Sequence, residues 1–407
     1  MSPMAGDPFS LGASETLHDP YPIYARLRAE APVHFSDAWG GYVVARHADT
    51  MNAFRDPRLS ANRSAGYASR MPPEVREKLA PLVRHLASWT LLMDPPEHTR
   101  LRGLIQRAFT PQRAEALRPR IESIAASLLE PFAKNTAFDV VTDYAMPLPI
   151  IVIGELLGVP REDAPRLKSW SDALAAFLGG TRDPMGAAVQ AVGAVTQLEA
   201  YFREQIAIKR RDRTDDLLGA LVIANEDGKI LGEQELLSTC ASLIFGGHET
   251  TTNLITNGVH QLLVDPRALE TTRTGRATWM QTVDEVLRFD SPVQRMGRVT
   301  LEPVEIAGVS IDRGQRVWLA LGSANRDETV FERAGEFDAT RPASAKHMSL
   351  GFGAHYCVGA ALGRIEAEIA MKILFDRMPR LEPRGGDPER LANFTIRGFE
   401  HYPVAPA

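Results

Sequence analysis

At 407 residues the chain has room for two or three domains, yet no Pro/Gly/Ser-rich linker, low-complexity tract or internal repeat divides it, which predicts one domain over 1–407. A net charge of −5 gives no basis for a nucleic-acid partner, and the two cysteines, Cys240 and Cys357, exclude a disulfide scaffold and fit a reducing cytosol. The polar N-terminus lacks a basic-then-apolar signal and the longest apolar run, 147–158, falls short of the ~20 residues a spanning helix needs, so the expectation is a soluble cytoplasmic protein without a membrane anchor.

Residues 20–31 read as a short helix, and 33–35 with 42–45, around Trp39-Gly40-Gly41, as a β-hairpin. The stretch 60–93 reads as irregular with at most short helices. Asp94-Pro95-Pro96-Glu97 predicts a helix start, with Asp94 as N-cap, proline at the first helical position and Glu97 completing a capping box; the helix runs to about 109. Thr110-Pro111 opens another, whose Ala114, Leu117, Ile121, Ile124, Ala125 and Leu128 form an apolar stripe. Helices follow near 147–157, 162–178, 185–212 and 214–225. Glu233–Val264 carries a helical pattern about 48 Å long, apolar over much of its circumference and therefore expected in the core. Residues 278–289 are helical, 299–320 alternates like short strands with turns at Ala307-Gly308 and Arg313-Gly314, a helix follows Cys357, and strand-like segments near 380–404 close the chain. The fold class is mainly α, with a minor β portion at the two ends of the sequence.

Four separated pieces carry chemistry. Cys357 lies in Leu350-Gly351-Phe352-Gly353-Ala354-His355-Tyr356-Cys357-Val358-Gly359, ahead of a helical stretch whose N-terminus favours a thiolate. Its glycines allow backbone to approach a flat ligand, which suits a haem-bound cysteinate; a purely structural cysteine is the alternative. A dinucleotide loop is excluded, because tyrosine stands at 356 where that fingerprint needs glycine. The second piece, Gly246-Gly247-His248-Glu249-Thr250-Thr251-Thr252, sits mid-helix. There, paired glycines mark either helix packing or a planar cofactor with local loosening at Thr250. A hydrolytic zinc helix would need His at 252 and finds Thr252. The third, Glu285 and Arg288, shares a helix face and reads alone as a solvated pair. The fourth, His98 and Arg102, suits an anion such as a carboxylate, or simple exposure.

Together these motifs resemble the cytochrome P-450 family of haem-thiolate monooxygenases, soluble bacterial type, over nearly the whole chain. The usual loop Phe-Gly-x-Gly-x-His/Arg-x-Cys-x-Gly is complete except that Leu350 replaces its phenylalanine, a position expected to tune the redox potential. Residues 246–251 match Ala/Gly-Gly-x-Asp/Glu-Thr-Thr. Glu285 and Arg288 match Glu-x-x-Arg, with Arg341 completing a structural triad.

The resemblance implies a cytochrome P-450 fold with haem b between the long central helix and the cysteine-ligand loop. Cys357 would be the metal ligand, and Gly246, Phe352, Gly353 and Gly359 would pack on the cofactor. His98, Arg102, Arg298 and His355 would hold its propionates. Glu249 and Thr250 would deliver protons for dioxygen activation. Ser242, Phe245, Val293, Gln294, Met296 and Ile396 would face a lipophilic substrate (fatty acid, terpenoid, steroid or macrolide-like) to be hydroxylated or epoxidised. The pocket roof would come from 60–93 and 170–195, with Leu174, Phe177, Leu178, Met185 and Val189. With no flavin or nicotinamide fingerprint, two electrons come from a ferredoxin or flavodoxin with its NAD(P)H reductase, steered by Arg100, Arg107 and Arg113. The enzyme is expected to be a monomer. Competing readings are a haem sensor or carrier, which has no need of Glu249-Thr250; a peroxide-driven enzyme, whose relatives usually lose that pair; and oxidative coupling.

Overall fold

The computed structural model describes residues 7–64, 73–132, 136–179, 183–226, 231–342 and 346–406. They pack as two compact units, one from Met1–Ala61, Asn257–Cys357 and Glu389–Glu400, the other from Asn62–Thr256, Val358–Pro388 and His401–Ala407.

The first unit is built on a five-stranded sheet in the order Val33–Ser36, Gly41–Val44, Arg316–Leu319, Met296–Thr300, Leu59–Ser60. The expected hairpin is there, with Val33 opposite Val44 and Ser36 opposite Gly41. Alternation puts Val33, Val44, Leu59, Val317 and Leu319 into one apolar cluster. The turn at Ala307-Gly308 joins Val304–Ile306 to Val309–Ile311, and both of its residues take positive φ. Thr278 and Gln281 close a capping box at the start of the helix Trp279–Phe289.

Asp290, which ends that helix, is buried among cations. Its Oδ1 accepts from Arg397 Nε at 2.6 Å and Tyr21 Oη at 3.0 Å, and its Oδ2 from Arg390 Nη2 at 3.2 Å. Burial pushes the carboxyl up, but Arg397, Arg390 and Arg326 outweigh it and hold it well below the ordinary value. A depressed folded-state pKa means that this stabilisation is complete above the unfolded value, about 3.9, and is lost as pH falls through the folded one. Asp290→Asn leaves the arginines uncompensated and should cost roughly 3–5 kcal/mol. In denaturant titrations the gap between wild type and variant should hold constant from about pH 8 to pH 5 and narrow only below about pH 4. A gap that closes between pH 8 and 6 would contradict this account.

The second unit is helical. Its longer helices are Pro73–Ala87, Glu97–Ala108, Arg118–Leu129, Pro147–Leu157, Ala164–Gly179, Pro184–Arg211, Leu217–Glu226, Glu233–Val264 (whose last residues, from Asn257, belong to the first unit) and Ala360–Arg377. A small sheet, Phe138–Asp139, Pro403–Pro406, Leu381–Pro383, joins them. Leu82, Leu86, Trp89, Leu101, Leu167, Leu174, Phe202, Leu236 and Ile244 belong to one buried cluster.

Three expectations are corrected. Residues 73–87 are helical rather than irregular: Leu79, Leu82 and Leu86 make a buried stripe, and Pro81, which reads as a breaker, sits within the helix. The helix expected to open just after Asp94 begins at Glu97, with Pro96 as its N-cap residue; the Asp94 carbonyl accepts from the His98 amide at 3.0 Å. The stripe after Thr110 is split into Pro111–Ala116 and Arg118–Leu129, because Pro119 opens a new helix. The apolar run is also longer than the sequence suggested. With a π-helical turn at Val140–Ala145 it extends over Val140–Leu157, 18 residues of mean hydropathy 1.6, and 67% of it is buried within the protein.

Candidate active site

Cys357 closes a tight loop. Gly351 and Gly353 take φ of +73° and +67°, a left-handed conformation that strains any residue with a Cβ. The Cys357 amide donates to the Leu350 carbonyl at 2.7 Å, and the Gly351 amide to the Met348 carbonyl at 2.8 Å. Cys357 is thereby exposed, three residues before the helix Ala360–Arg377, whereas Cys240 is a buried thiol. Burial pushes the Cys240 thiol far up, which suits an inert core residue. The Arg55 guanidinium covers the Phe352 ring at 4.8 Å.

The loop is anchored from outside. Asn325, fully buried, donates from Nδ2 to Ser349 Oγ at 2.7 Å and accepts the Met348 amide at 2.6 Å; Ser349 in turn donates to the Leu287 carbonyl. Leu287 lies between Glu285 and Arg288. These two make a bidentate pair, at 2.8 and 2.7 Å, with side chains 1% and 0% exposed, so the solvated-pair reading is overturned. Arg341 Nε reaches the same carboxylate at 3.1 Å, which assembles the expected triad. Sequence reasoning missed Asn325 and Ser349, because neither lies in a periodic segment.

The helix Glu233–Val264 is helical without a break through 246–252, so the loosening expected at Thr250 does not interrupt it. Thr250 Oγ1 donates back to the Gly246 carbonyl at 3.2 Å. The two glycines differ in their reason. A Cβ on Gly247 would stand 2.8 Å from Ile153 Cγ1, which is helix packing; a Cβ on Gly246 would meet nothing within 4 Å. Gly246 therefore leaves an open strip beside Glu249 and Thr250, while Thr251 and Thr252 are buried. Asn253 Nδ2 donates to the Glu249 carbonyl at 2.8 Å and lies 3.4 Å from its Oε1.

Of the remaining site residues, His98 is buried, and burial followed by the Arg102 charge pushes its imidazole below the ordinary value. Arg298 is buried in its strand, donating to the Gly297 carbonyl at 2.9 Å with its guanidinium 5.1 Å from the Phe54 ring. His355 is half-buried in the cysteine loop. Met296 borders that loop, its Sδ 3.9 Å from where a Cβ on Gly351 would stand. Val293 and Ile396 face each other across an isolated bridge. Gln294 is committed elsewhere, donating to the Ser291 carbonyl at 2.8 Å and to Tyr21 Oη at 3.3 Å. On the long helix, Phe245 packs on Trp89 at 5.0 Å, and Ser242 donates to the Thr239 carbonyl at 2.9 Å. Of the expected roof, 65–72 and 180–182 lie outside the described residues; Leu174 is core, while Met185 and Val189 point to solvent.

These residues fit the haem that the resemblance implies. The donor set offers one exposed thiol ahead of a helix, open space at Gly246, and the guanidinium cations of Arg102 and Arg298 with the imidazoles of His98 and His355, N–H donors of a kind that suits two carboxylates.

Comparison with known proteins agrees. The family model Cytochrome P450 matches residues 279–396. The chain is 39% identical over 397 residues to "Cytochrome P450 107B1" of Saccharopolyspora erythraea, with 94% of each chain covered. It is 36% identical to the biotin biosynthesis cytochrome P450 of Bacillus subtilis, with 97% of this chain and 98% of that one covered. A solved cytochrome P450 in complex with hexadec-9Z-enoic acid ligated acyl carrier protein matches with a TM-score of 0.89 at 34% identity, covering 97% of this chain and 100% of that one.

Proposed function

The chain belongs to the cytochrome P450 family of haem monooxygenases, and we propose that it is a cytoplasmic enzyme that hydroxylates or epoxidises a lipophilic small molecule, using two electrons from an external ferredoxin or flavodoxin. The observation that carries the haem-thiolate assignment is the exposed Cys357 in its glycine turn ahead of an 18-residue helix. When bound, haem with a thiolate ligand supplies the oxidising power for dioxygen activation. The chain's own part is to hold and protect. Cys357 takes the metal; His98, Arg102, Arg298 and His355 hold the propionates; Glu249 passes protons; and the Thr250 hydroxyl positions them over the Gly246 strip. Phe245 on Trp89 gives that strip an apolar flank, which supports a lipophilic substrate. The relative solved with a C16 acyl chain on its carrier protein supports an acyl chain as the first substrate class to test.

The test is the carbon-monoxide difference spectrum of the reduced protein, which must show the red-shifted Soret band of a thiolate-ligated haem. A histidine-type band in folded protein would sink the proposal. Spectral titration with fatty acids, steroids, terpenoids and macrolides then ranks the substrate classes.

Electron delivery leads to a second expectation. Arg100 is tied to Glu235, which mutes its charge, whereas Arg107 and Arg113 are exposed. With an acidic ferredoxin, Arg113→Glu should slow reduction several-fold at low ionic strength, and the difference should vanish at about 1 M salt, where the Debye length is ~3 Å. A rate in wild type that ignores ionic strength would remove these arginines from the docking face.

A further inference from the structure

The motif that lacks a second histidine on its own helix gains a ligand from another. Asp172, on the helix Ala164–Gly179, brings Oδ1 to 3.6 Å from His248 Nε2, and Glu249 brings Oε2 to 3.7 Å from the same nitrogen. All three ligand atoms lie within 4.8 Å of one another. Both distances are too long for hydrogen bonds, and His248 Nε2 is buried without a hydrogen-bond partner among the described residues. The other ring nitrogen sets the tautomer. Nδ1 lies 3.2 Å from the Ile244 carbonyl, which can only accept, and 3.4 Å from Ser171 Oγ. Nδ1 therefore carries a hydrogen, and in the neutral ring Nε2 turns its lone pair to the two carboxylates. A metal-ligating histidine is oriented in this way.

We propose that Asp172, His248 and Glu249 form a binding site for a zinc-class divalent ion. A tetrahedral ion with ligands at about 2.0–2.2 Å spaces them about 3.4 Å apart, within a few tenths of an ångström of both histidine distances. The carboxylates close the third edge by side-chain rotation, which the partly exposed Asp172 and Glu249 allow. One imidazole and two carboxylates favour the late first-row ions over magnesium or calcium and leave a fourth position for water. Asp172 is paired with the Lys168 ammonium one turn earlier on its own helix. Lys168 engages Oδ2, leaving Oδ1 to face the histidine. A bound ion takes an oxygen of Glu249, so its effect on turnover rests on the proton-passing role proposed above; its binding does not. Zinc at this site withdraws Glu249 from proton delivery, and the two electrons from NADH then leave on dioxygen as hydrogen peroxide instead of yielding product.

Tag-free, haem-loaded protein is titrated with zinc chloride by isothermal calorimetry, and product per NADH is measured with and without zinc in each variant. The expected result is one saturable site per chain, weakened about tenfold or more by Asp172→Asn and again by His248→Gln, together with a several-fold zinc-dependent fall in coupling in wild type that shrinks in Asp172→Asn. No saturable binding, or equal affinity in wild type and both variants, overturns the site; Asp172, partly exposed, keeps this test open should His248→Gln fold poorly. Variant-sensitive binding that leaves coupling unchanged overturns the inhibitory effect, and with it the role of Glu249, while the site stands.

Discussion

Arg288→Ala should yield little folded protein and almost no bound haem. The Arg288 side chain is fully buried and makes five hydrogen bonds: two to Glu285, and one each to the carbonyls of Asn325 at 3.0 Å, Ala334 at 2.9 Å and Glu336 at 2.8 Å. Truncation leaves the buried Glu285 carboxylate to Arg341 and the Asp338 amide alone, and strips the guanidinium from three carbonyls at once. Breaking a buried pair by removing one partner costs roughly 3–5 kcal/mol, a large share of the 5–15 kcal/mol that typically holds a domain folded. The damage is also directed. Asn325, whose carbonyl Arg288 binds, fixes Met348 and Ser349 at the entrance of the Cys357 loop. Arg288→Lys keeps the charge but lacks the planar fork, so it should recover some fold and less haem. Haem-to-protein absorbance ratio and melting temperature are the readouts. An alanine variant with wild-type values of both would show that the triad braces nothing.

The spacing of Glu285 and Arg288 was legible as a pair, but its burial was not. What buries it is the backbone of 325–341, a segment with neither helical nor strand period, so only the folded chain shows why two charges sit at 1% and 0% exposure. The long helix was legible from end to end, because a sustained apolar pattern outweighs two glycines and three threonines. Its glycine pair admitted packing and cofactor readings alike, and the structure assigns packing to Gly247 and open space to Gly246. Helix starts were read less well. Asp94-Pro95-Pro96-Glu97 has the composition of a capped start, yet the helix begins only at Glu97, with both prolines before it. Asp172 carried no signal at all, since its partner lies on a helix distant in sequence and nothing local distinguishes it from a solvated acid.

Thr250→Ala should uncouple the enzyme without unfolding it. Alanine is the better helix former, and the hydroxyl it removes bonds only within its own turn, to the Gly246 carbonyl. Stability and the carbon-monoxide spectrum should therefore match wild type. Among the three consecutive threonines only Thr250 stands on the open strip. Thr251 Oγ1 bonds the Gly247 carbonyl and lies 3.2 Å from where a Cβ on Gly363 would stand, so Thr251→Ala is a packing change. A positioned proton donor contributes ~10²–10⁴-fold to the step it serves, so losing the group that orders it should lower product per NADH about tenfold while NADH consumption continues. Thr250→Ser restores the hydroxyl and should restore most of the coupling. Glu249→Gln keeps the shape and loses the titrating group; it should lower product per NADH and raise the solvent isotope effect, a combination that a packing defect does not explain. Full coupling in Thr250→Ala would move proton delivery to another group and leave Glu249 without its hydroxyl partner.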